Sequence, residues 1–370
     1  RCNVTNVADI EDFFKQIPRN PRFLNAAARQ FTHEDVTGLL DMLGTPTKVE
    51  RGGRVFPESD KASDVTRALD RGMRDAGVVI SLNTEAAHVK PAEHGFDIAL
   101  TQGGVLRAGS VIVATGGVSY PSTGSTGDGY RFAKENGLNV TKLGASLVGM
   151  TVDEKWCMLL QGLSLKNVRV TAKVGKKMIY SELGEMLFTH FGVSGPLIIE
   201  LSSHMPEDYS QVSVTLDMKP GLTDEQVDLR LQRDFAENNR KQISSVLTGL
   251  MPARMAPVFA KLCGVDTDTP ISQVTREQRM AIGHALKALP LHVVGTRPIE
   301  EAIVTRGGVD VLEITPGTMM SKKVPGLFFA GEVLDVDAHT GGFNLQIAFS
   351  TGALAGKSAA AWAMDHQASC

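Results

Sequence analysis

Two glycine-bearing segments of this sequence have the residue types to hold a flat or polar ligand. The segment "ATGGVSYPSTGSTGDGY", residues 114–130, leads from an apolar run into a helix. Its glycines let backbone amides approach a ligand without interference from a Cβ atom. The segment "GEVLDVDAHTGGFNLQ", residues 331–346, follows an apolar strand and begins a helix with paired glycines. The free N–H groups at a helix start carry partial positive charge, so this turn can stabilise negative charge on a bound ring.

Each segment also has a simpler explanation. The first could be only a long connection between a strand and a helix, and the second an acidic loop before a packed helix. Against this, Glu332 comes at the end of its strand, and open α/β sheets bind ligands at the carboxyl ends of their strands. Either Glu332 or Asp335 could bond a chain of hydroxyl groups on a ligand.

The composition is that of an ordinary globular chain and argues against several functions. Of its 370 residues, 42% are hydrophobic and 21% are charged, and the net charge of -3 provides no overall positive field for a polyanion. No apolar run reaches the roughly 18 residues that span a bilayer. The sequence has no P-loop lysine, no nucleophile elbow and no zinc-protease motif, and its nine histidines are scattered, so we expect no metal site.

The cysteines predict free thiols. None of them forms a C-x-x-C pair, which is typical of a chain in a reducing cytoplasm. Redox chemistry would then depend on a cofactor. The four positions are Cys2, Cys157, Cys263 and Cys370. The sequence opens "RCNVTNVADI" without a methionine, and we expect an N-terminal piece to be missing.

The elements that must position these residues begin as alternating helices and strands. One helix is predicted from an N-cap at Thr32 to Gly44, and another from Ser63 to Gly77. Three strands are predicted at "VVISL", "GFDIAL" and "SVIVATGG", the last of them buried on both faces. The helix "DGYRFAKENG" should end at Gly137. This pattern indicates an α/β domain.

The pattern changes near residue 150. A β-hairpin is predicted with its turn near Gly175 and Lys176, and further short alternating strands favour an antiparallel barrel or sandwich. A helical block follows, beginning with Thr223 as an N-cap. We therefore expect a helical insert inside a β insert, itself inside the α/β domain.

Several blocks, taken in order, resemble one known family. They are "RCNVTN", "GGRVFPESDKASDV", "ATGGVSYPSTGSTGDGY", "GEMLFTHFGVSGP", "AIVTRGGV", "TMMSKKVPGLFFAGEVLDVD" and "TGGFNLQIAFSTG". Together they are similar to the HI0933-like family of FAD-binding flavoproteins, also described as the aminoacetone oxidase/BaiN family. The resemblance spans essentially the whole chain.

The resemblance implies a split Rossmann-like FAD-binding domain of the glutathione-reductase type, interrupted by a β-barrel that carries a helical insert. Residues 1–149 would be the first part of the FAD domain, without the family's N-terminal G-x-G-x-x-G unit. Residues 150–221 and 291–318 would form the barrel. Residues 222–290 would be the helical insert, and residues 319–370 the C-terminal part of the FAD domain.

The resemblance also implies which residues contact FAD. Those expected beside its phosphate, ribityl and adenine portions are Arg1, Cys2, Asn3, Ala86, Thr115, Gly116, Gly331 and Glu332. Those expected to present backbone groups to the pyrimidine edge of the isoalloxazine are Gly342, Phe343, Asn344 and Leu345.

Three residues are candidates for the substrate side. His190 lies in "FTHFGVSGP", where a neutral histidine can give or take a proton, although a structural histidine bonded to a carbonyl fits equally well. His339 directly precedes the flavin-facing glycines. Arg54 could hold a carbonyl-bearing or anionic substrate, or it could pair with a surface acid.

The family implies an FAD-dependent oxidoreductase that transfers hydride between flavin and an organic substrate. We favour NADH- or NADPH-driven reduction of a conjugated C=C bond of the bile-acid-enone type. The alternatives are oxidation of a small amine such as aminoacetone and reduction of uridine in ribosomal RNA. Small-molecule substrates and a nicotinamide cofactor are therefore the expected partners, a nucleic acid is a lesser one, and no membrane is expected.

Overall fold

The computed structural model describes residues 1–367, so Cys370 lies outside the described residues. The strands are β1 (Thr5–Asn6), β2 (Thr47–Glu50), β3 (Arg54–Pro57), β4 (Ala86–Ala92), β5 (Gly95–Leu100), β6 (Val105–Ala108), β7 (Val111–Val113), β8 (Gly144–Ser146), β9 (Met150–Val152), β10 (Ser164–Val174), β11 (Lys177–Thr189), β12 (Gly192–Ser194), β13 (Val212–Asp217), β14 (Leu289–Leu291), β15 (Val293–Thr296), β16 (Val304–Arg306), β17 (Ile314–Thr315), β18 (Met320–Ser321) and β19 (Leu327–Phe329). The α-helices are α1 (Ile10–Lys15), α2 (Asn25–Gln30), α3 (His33–Met42), α4 (Ala62–Asp75), α5 (Asp128–Glu135), α6 (Trp156–Leu159), α7 (Pro196–His204), α8 (Asp224–Glu237), α9 (Ile243–Leu247), α10 (Ala256–Leu262), α11 (Arg276–Ala288) and α12 (Phe343–Gln367).

The chain divides into two compact units. The first contains Arg1–Ser146 and the chain from Ile299 onward, and the second contains Leu147–Pro298. Residues 299–318 therefore fall in the first unit, whereas the sequence resemblance assigned them to the barrel.

The first unit is built from four small sheets and the helices that cover them. Its sheet orders are β1-β3-β2, β4-β5-β6, β16-β8 and β17-β18-β19-β7. In the last of these, β19 and β7 run parallel and the other pairs are antiparallel. Phe328 and Phe329 of β19 are buried in the core of this unit. The sheet and α12 thus form the α/β layer that the sequence predicted.

Two strand predictions in this unit were wrong. The segment "VVISL" is not a strand: Val79 is 88% exposed and Leu82 is 75% exposed, and the next strand begins only at Ala86. The strand from "SVIVATGG" is limited to β7, where Ile112 is exposed, so it is not buried on both faces. β-branched residues favour a strand only where a neighbouring strand and a packed face are available, and the sequence pattern does not reveal either.

Helix ends were predicted with more success. Thr32 caps α3 in a capping box with Asp35, and Gly44 and Gly77 follow their helices with φ of +72° and +80°. Ser63 does not cap α4, because that helix already begins at Ala62 and Ser63 lies within its first turn. Caps depend on local hydrogen bonds, so most of them can be recognised from the sequence.

The second unit is a seven-stranded antiparallel sheet in the order β14-β13-β10-β11-β12-β9-β15. The predicted hairpin is confirmed, because β10 and β11 pair around the turn at Gly175 and Lys176. Helices α8 to α11 lie between β13 and β14 in the chain, and Thr223 begins the block with a capping box. Phe188 of β11 and Phe259 of α10 are fully buried in one core, so the sheet and the helical block are packed together.

Candidate functional site

Two parallel strands of the first unit end at the same edge, and each leads into a glycine with positive φ. The register of β7 and β19 places Val113 opposite Phe329, and the N–H of Ala330 donates to the carbonyl of Val113 at 3.1 Å. The glycines that follow are Gly116, with φ +72°, and Gly331, with φ +78°. The structure thus brings together the two segments singled out in the sequence, at the kind of edge where open α/β sheets bind ligands.

The carboxylate of Glu332 joins these two segments. Its Oε1 accepts a hydrogen bond from the backbone N–H of Thr305 at 2.7 Å and another from the hydroxyl of Ser119 at 3.1 Å. A Cβ atom on Gly117 would lie 2.8 Å from the same oxygen, so this loop position requires glycine. One carboxylate oxygen of Glu332 is therefore already engaged by the protein.

The paired glycines at the start of α12 pack against the beginning of the chain. Gly342 has φ +99°, and a Cβ atom there would lie 2.3 Å from the carbonyl oxygen of Thr5 and 2.8 Å from Oδ1 of Asn3. Oδ1 of Asn3 is buried and has no hydrogen-bond partner among residues 1–367. Buried polar atoms are nearly always bonded, so this acceptor is the natural contact for an N–H or O–H group of a ligand.

The side chains that follow the glycines mostly hold the turn itself. Oδ1 of Asn344 accepts the N–H of Ala338 at 2.9 Å, and its Nδ2 donates to the carbonyl of Ala338 at 2.8 Å. The ring of Phe343 packs against Phe13 with centroids 6.2 Å apart, whereas Leu345 is 40% exposed. The backbone contacts predicted from these residues to an isoalloxazine stay predictions.

A cavity of about 650 Å³ lies beside β7 and is lined by Ala86, which was predicted to contact adenine, and by Thr115, which was predicted to lie beside the dinucleotide. Its volume is within the range of roughly 300–1,000 Å³ that is usual for small-molecule sites. A Cβ atom on Gly129 would lie 2.3 Å from Oγ1 of Thr115, so the start of α5 presses directly on the loop that follows β7. The cavity is lined by Asn83, Thr84, Glu85, Ala86, Thr101, Gln102, Thr115, Asp128 and Phe132.

The two arginines predicted to act near the cofactor and the substrate lie beside one aromatic ring. Arg1 pairs with Glu50 and, at 2.9 Å, with Asp60, and its guanidinium lies 4.0 Å from the centroid of Phe56. The guanidinium of Arg54 lies 5.7 Å from the same ring. Both arginines are exposed, so the ion pairs of Arg1 contribute little to stability.

The two predicted histidines occupy different units. His339 is half-buried in the first unit, and its backbone N–H donates to the carbonyl of Gln16 at 2.9 Å. His190 is exposed in the second unit, with its ring edge-on to Phe191 at 5.1 Å. Their roles as proton donors stay predictions.

Burial raises the pKa values of three titratable groups in the first unit. Burial, together with the nearby carboxylates of Glu332 and Asp335, raises the pKa of Tyr130, whose hydroxyl has no hydrogen-bond partner within the described chain. Burial also raises the pKa of Asp335 and that of the Cys2 thiol. Tyr130 and Cys2 therefore remain protonated at neutral pH.

Sequence reasoning missed two amide side chains of this site. Nδ2 of Asn6 donates to the carbonyl of Gly341 at 3.0 Å, which fixes the glycine turn. Gln346 is buried, and its amide bonds the hydroxyl of Thr5 and the carbonyl of Phe31. A glutamine inside the apolar run "LQIAF" is the signal that could have indicated it, because a buried amide needs partners.

These observations fit a bound FAD. Beside the glycine turn before α12, Oδ1 of Asn3 is an acceptor without a partner in the described chain. Glu332 lies at the edge where β7 and β19 end. The cavity at Ala86 and Thr115 has room for an adenosine. The described residues contain no group of three or more His, Cys, Asp or Glu side chains that could hold a metal ion. Within residues 1–367, no helix has the length and apolar character needed to cross a membrane.

Comparison with known proteins agrees with this arrangement. The family model described as the HI0933-like protein Rossmann domain matches residues 1–358. The chain belongs to the HI0933-like family. This membership confirms the family that the sequence motifs predicted, and with it the class of FAD-dependent oxidoreductases.

Members of the HI0933-like family with known activities match nearly the whole chain. The 3-dehydro-bile acid delta(4,6)-reductase of Clostridium scindens is 30% identical over 97% of this chain and 88% of that protein. The ribosomal RNA dihydrouridine synthase of Escherichia coli is 30% identical over 95% of this chain and 84% of that protein. The synthase of the same name from Haemophilus influenzae is 29% identical over 95% of this chain and 85% of that protein.

Among solved structures, the chain is similar to a variant of the E. coli quinol fumarate reductase FrdA. The identity is 14% and the TM-score is 0.42, over 98% of this chain and 62% of that chain.

Proposed function

We propose that this protein uses FAD and NADH or NADPH to reduce a C=C bond conjugated to a carbonyl group in an organic substrate. The observation that carries the proposal is the 30% identity with a 3-dehydro-bile acid delta(4,6)-reductase over 97% of the chain. Bound FAD would supply a two-electron carrier that takes hydride from the nicotinamide and passes it to the substrate. The substrate then gains this hydride at one carbon and a proton at the other.

The first unit supports this chemistry with the groups that would hold the cofactor. α12 begins at Phe343, directly after Gly341 and Gly342, and the partial positive charge of a helix start stabilises negative charge. Oδ1 of Asn3 would accept a hydrogen bond from the cofactor, and Glu332 would face its ribityl hydroxyls. The groups proposed to supply the substrate proton are His190 and His339, and Arg54 is proposed to hold the substrate carbonyl.

The second unit is proposed to be the family's β-barrel with a helical insert. Its seven antiparallel strands, with α8 to α11 placed between β13 and β14, support this interpretation. We propose that this insert takes part in substrate selection.

The experiment is an anaerobic titration of the FAD-loaded protein with NADH and, separately, with NADPH. We expect bleaching of the visible flavin band by at least one of them, followed by its recovery when a steroid dienone is added. The matched control is the same titration with the saturated ketone, which offers no conjugated C=C bond and should leave the flavin reduced. A protein that binds no FAD, or whose flavin neither nicotinamide reduces, would contradict the proposal.

A second candidate is the reduction of uridine in ribosomal RNA. It rests on the two relatives named ribosomal RNA dihydrouridine synthase, which match the chain almost as well as the bile-acid enzyme does. The two reactions are chemically alike, because both reduce a C=C bond beside a carbonyl. Recovery of the flavin band on adding undermodified ribosomal RNA, but not on adding the dienone, would favour this candidate. Reduction of the flavin by a small amine, followed by reoxidation only when dioxygen is admitted, would instead favour the amine oxidase.

A further inference from the structure

Thr305 is a buried residue of β16 that was not among the site residues predicted from the sequence. Its side chain is 1% exposed. Its Oγ1 accepts hydrogen bonds from the backbone N–H groups of Val118 at 2.9 Å and Ser119 at 3.2 Å. Both donors belong to the glycine loop that follows β7. One hydroxyl therefore satisfies two consecutive amides of a loop that lies far away in the sequence.

The backbone of Thr305 also reaches the second segment of the site. Its N–H donates to Oε1 of Glu332 at 2.7 Å, and the hydroxyl of Ser119 donates to the same oxygen at 3.1 Å. Thr305, Ser119 and Glu332 thus form a closed set of hydrogen bonds. This set connects the loop after β7 with the turn after β19.

The side chain of Thr305 packs directly against the backbone of Gly117 in the loop. A Cβ atom on Gly117 would lie 2.2 Å from Oγ1 and 2.6 Å from Cβ of Thr305. Such separations are impossible for any residue other than glycine, so Gly117 and Thr305 are complementary in shape. The hydroxyl is in this position because the glycine makes room for it.

We propose that Thr305 is a positioning residue for the FAD site, acting through the loop of residues 117–119 and through Glu332 without touching the cofactor itself. The inference rests on the proposed function, since it concerns the same site. Replacement by valine keeps the shape but leaves the N–H groups of Val118 and Ser119 without their acceptor, and the second of these bonds is buried. An unmade hydrogen bond of this kind is costly for a folded structure. The loop can regain partners only by moving, and such a movement displaces the groups that would hold FAD.

The test compares Thr305→Val and Thr305→Ser with Ser321→Ala. Ser321 is the matched control, because it too is 1% exposed and its Oγ accepts two consecutive N–H groups, from Lys323 at 3.2 Å and Val324 at 3.0 Å. It lies on β18, in the same unit, with no part in the Glu332 set. Ser119→Ala, which removes a single bond to Glu332, is a milder second variant in case the valine variant folds poorly.

FAD affinity is measured by equilibrium titration, and amide hydrogen exchange of residues 117–119 is measured on the FAD-free protein. We expect Thr305→Val to weaken FAD binding by about 10- to 100-fold and to accelerate exchange in the loop. Thr305→Ser should restore both, Ser119→Ala should give a smaller loss in the same direction, and Ser321→Ala should change neither.

Three results would overturn the inference: unchanged FAD affinity in Thr305→Val, unchanged loop exchange, or equal losses in Ser321→Ala. A wild-type protein that takes up no FAD would instead overturn the proposed function, and it is recognised at once because the exchange measurement is independent of FAD.

Discussion

The glycine turn before α12 is held by neutral amides rather than by acids. Asn6 bonds the carbonyl of Gly341, Asn344 bonds both backbone groups of Ala338, and Gln346 bonds the first strand. An amide can satisfy donors and acceptors together without burying a charge. These side chains therefore leave the partial positive charge of the helix start uncompensated, which suits a site for negative charge.

Gly342→Ala should damage this turn. The added Cβ atom would lie 2.3 Å from the carbonyl of Thr5, and the residue has φ +99°, which alanine adopts only at a cost. We expect lower stability, measured by urea unfolding, and FAD binding at least about tenfold weaker, because the strand and the turn must separate.

The control for this change is Gly356→Ala, in the interior of the same helix. A Cβ atom there has nothing within 4 Å, and alanine is a better helix former by about 0.5–1 kcal/mol. This variant should be slightly more stable than the wild type and should bind FAD equally well. Equal effects of the two substitutions would show that the turn has no special requirement for glycine.

Asp335→Asn should stabilise the protein at neutral pH. Burial raises the pKa of Asp335 above its unfolded value, so the group favours the folded state at low pH and loses that contribution as pH rises through the folded pKa. An asparagine carries no charge at this position, so the free energy of unfolding should not fall as the pH rises. The gain in melting temperature should be present at pH 7 and should shrink as pH falls toward the unfolded pKa of about 4.

Asp208→Asn is a control of opposite sign. Hydrogen bonds from Ser210 and Gln211 lower the pKa of Asp208, so its ionised form favours the folded state. This variant should lose stability at pH 7, and the loss should disappear as pH falls through the lowered pKa. If Asp335→Asn showed the same pH profile as Asp208→Asn, the assigned cause would be wrong.

Pairing with a neighbouring strand decided which apolar segments form β-strands. β7 is a strand because β19 lies beside it in parallel register, whereas "VVISL" has equally suitable residues and forms none. The hairpin of β10 and β11 was predictable because its partner follows directly after a two-residue turn. Local pairings are visible in the sequence, and distant pairings are not.

Phe259→Ala should weaken the second unit as a whole. Phe259 of α10 is fully buried in the same core as Phe188 of β11, so the helical block and the sheet share its contacts. We expect the free energy of unfolding to fall by about 3–5 kcal/mol, measured by urea denaturation.

The matched control for Phe259→Ala is Leu229→Ala on α8, where the side chain is 65% exposed and little should change. Loss of the helical signal at lower urea, with the β signal unaffected, would contradict a single shared core.

The chain as a whole contains two units, each with its own hydrophobic core. The boundaries expected from the family resemblance differ from those of the two compact units mainly for residues 299–318, which include β16 and therefore Thr305. When residues 299–318 are assigned to the barrel, nothing in the sequence relates them to the cofactor site. Assigned to the first unit, they provide the residue that joins both glycine segments.

By itself, the sequence determined the family, the α/β character of the first unit, most helix caps and the β10–β11 hairpin. Each of these depends on residue types or on bonds between close neighbours in the chain. Only the tertiary structure decided that Oδ1 of Asn3 is orphaned and that Thr305 bonds Val118, 187 positions away. Hydrogen bonds across such separations depend on how whole elements pack, and that information is not contained in any short stretch of sequence.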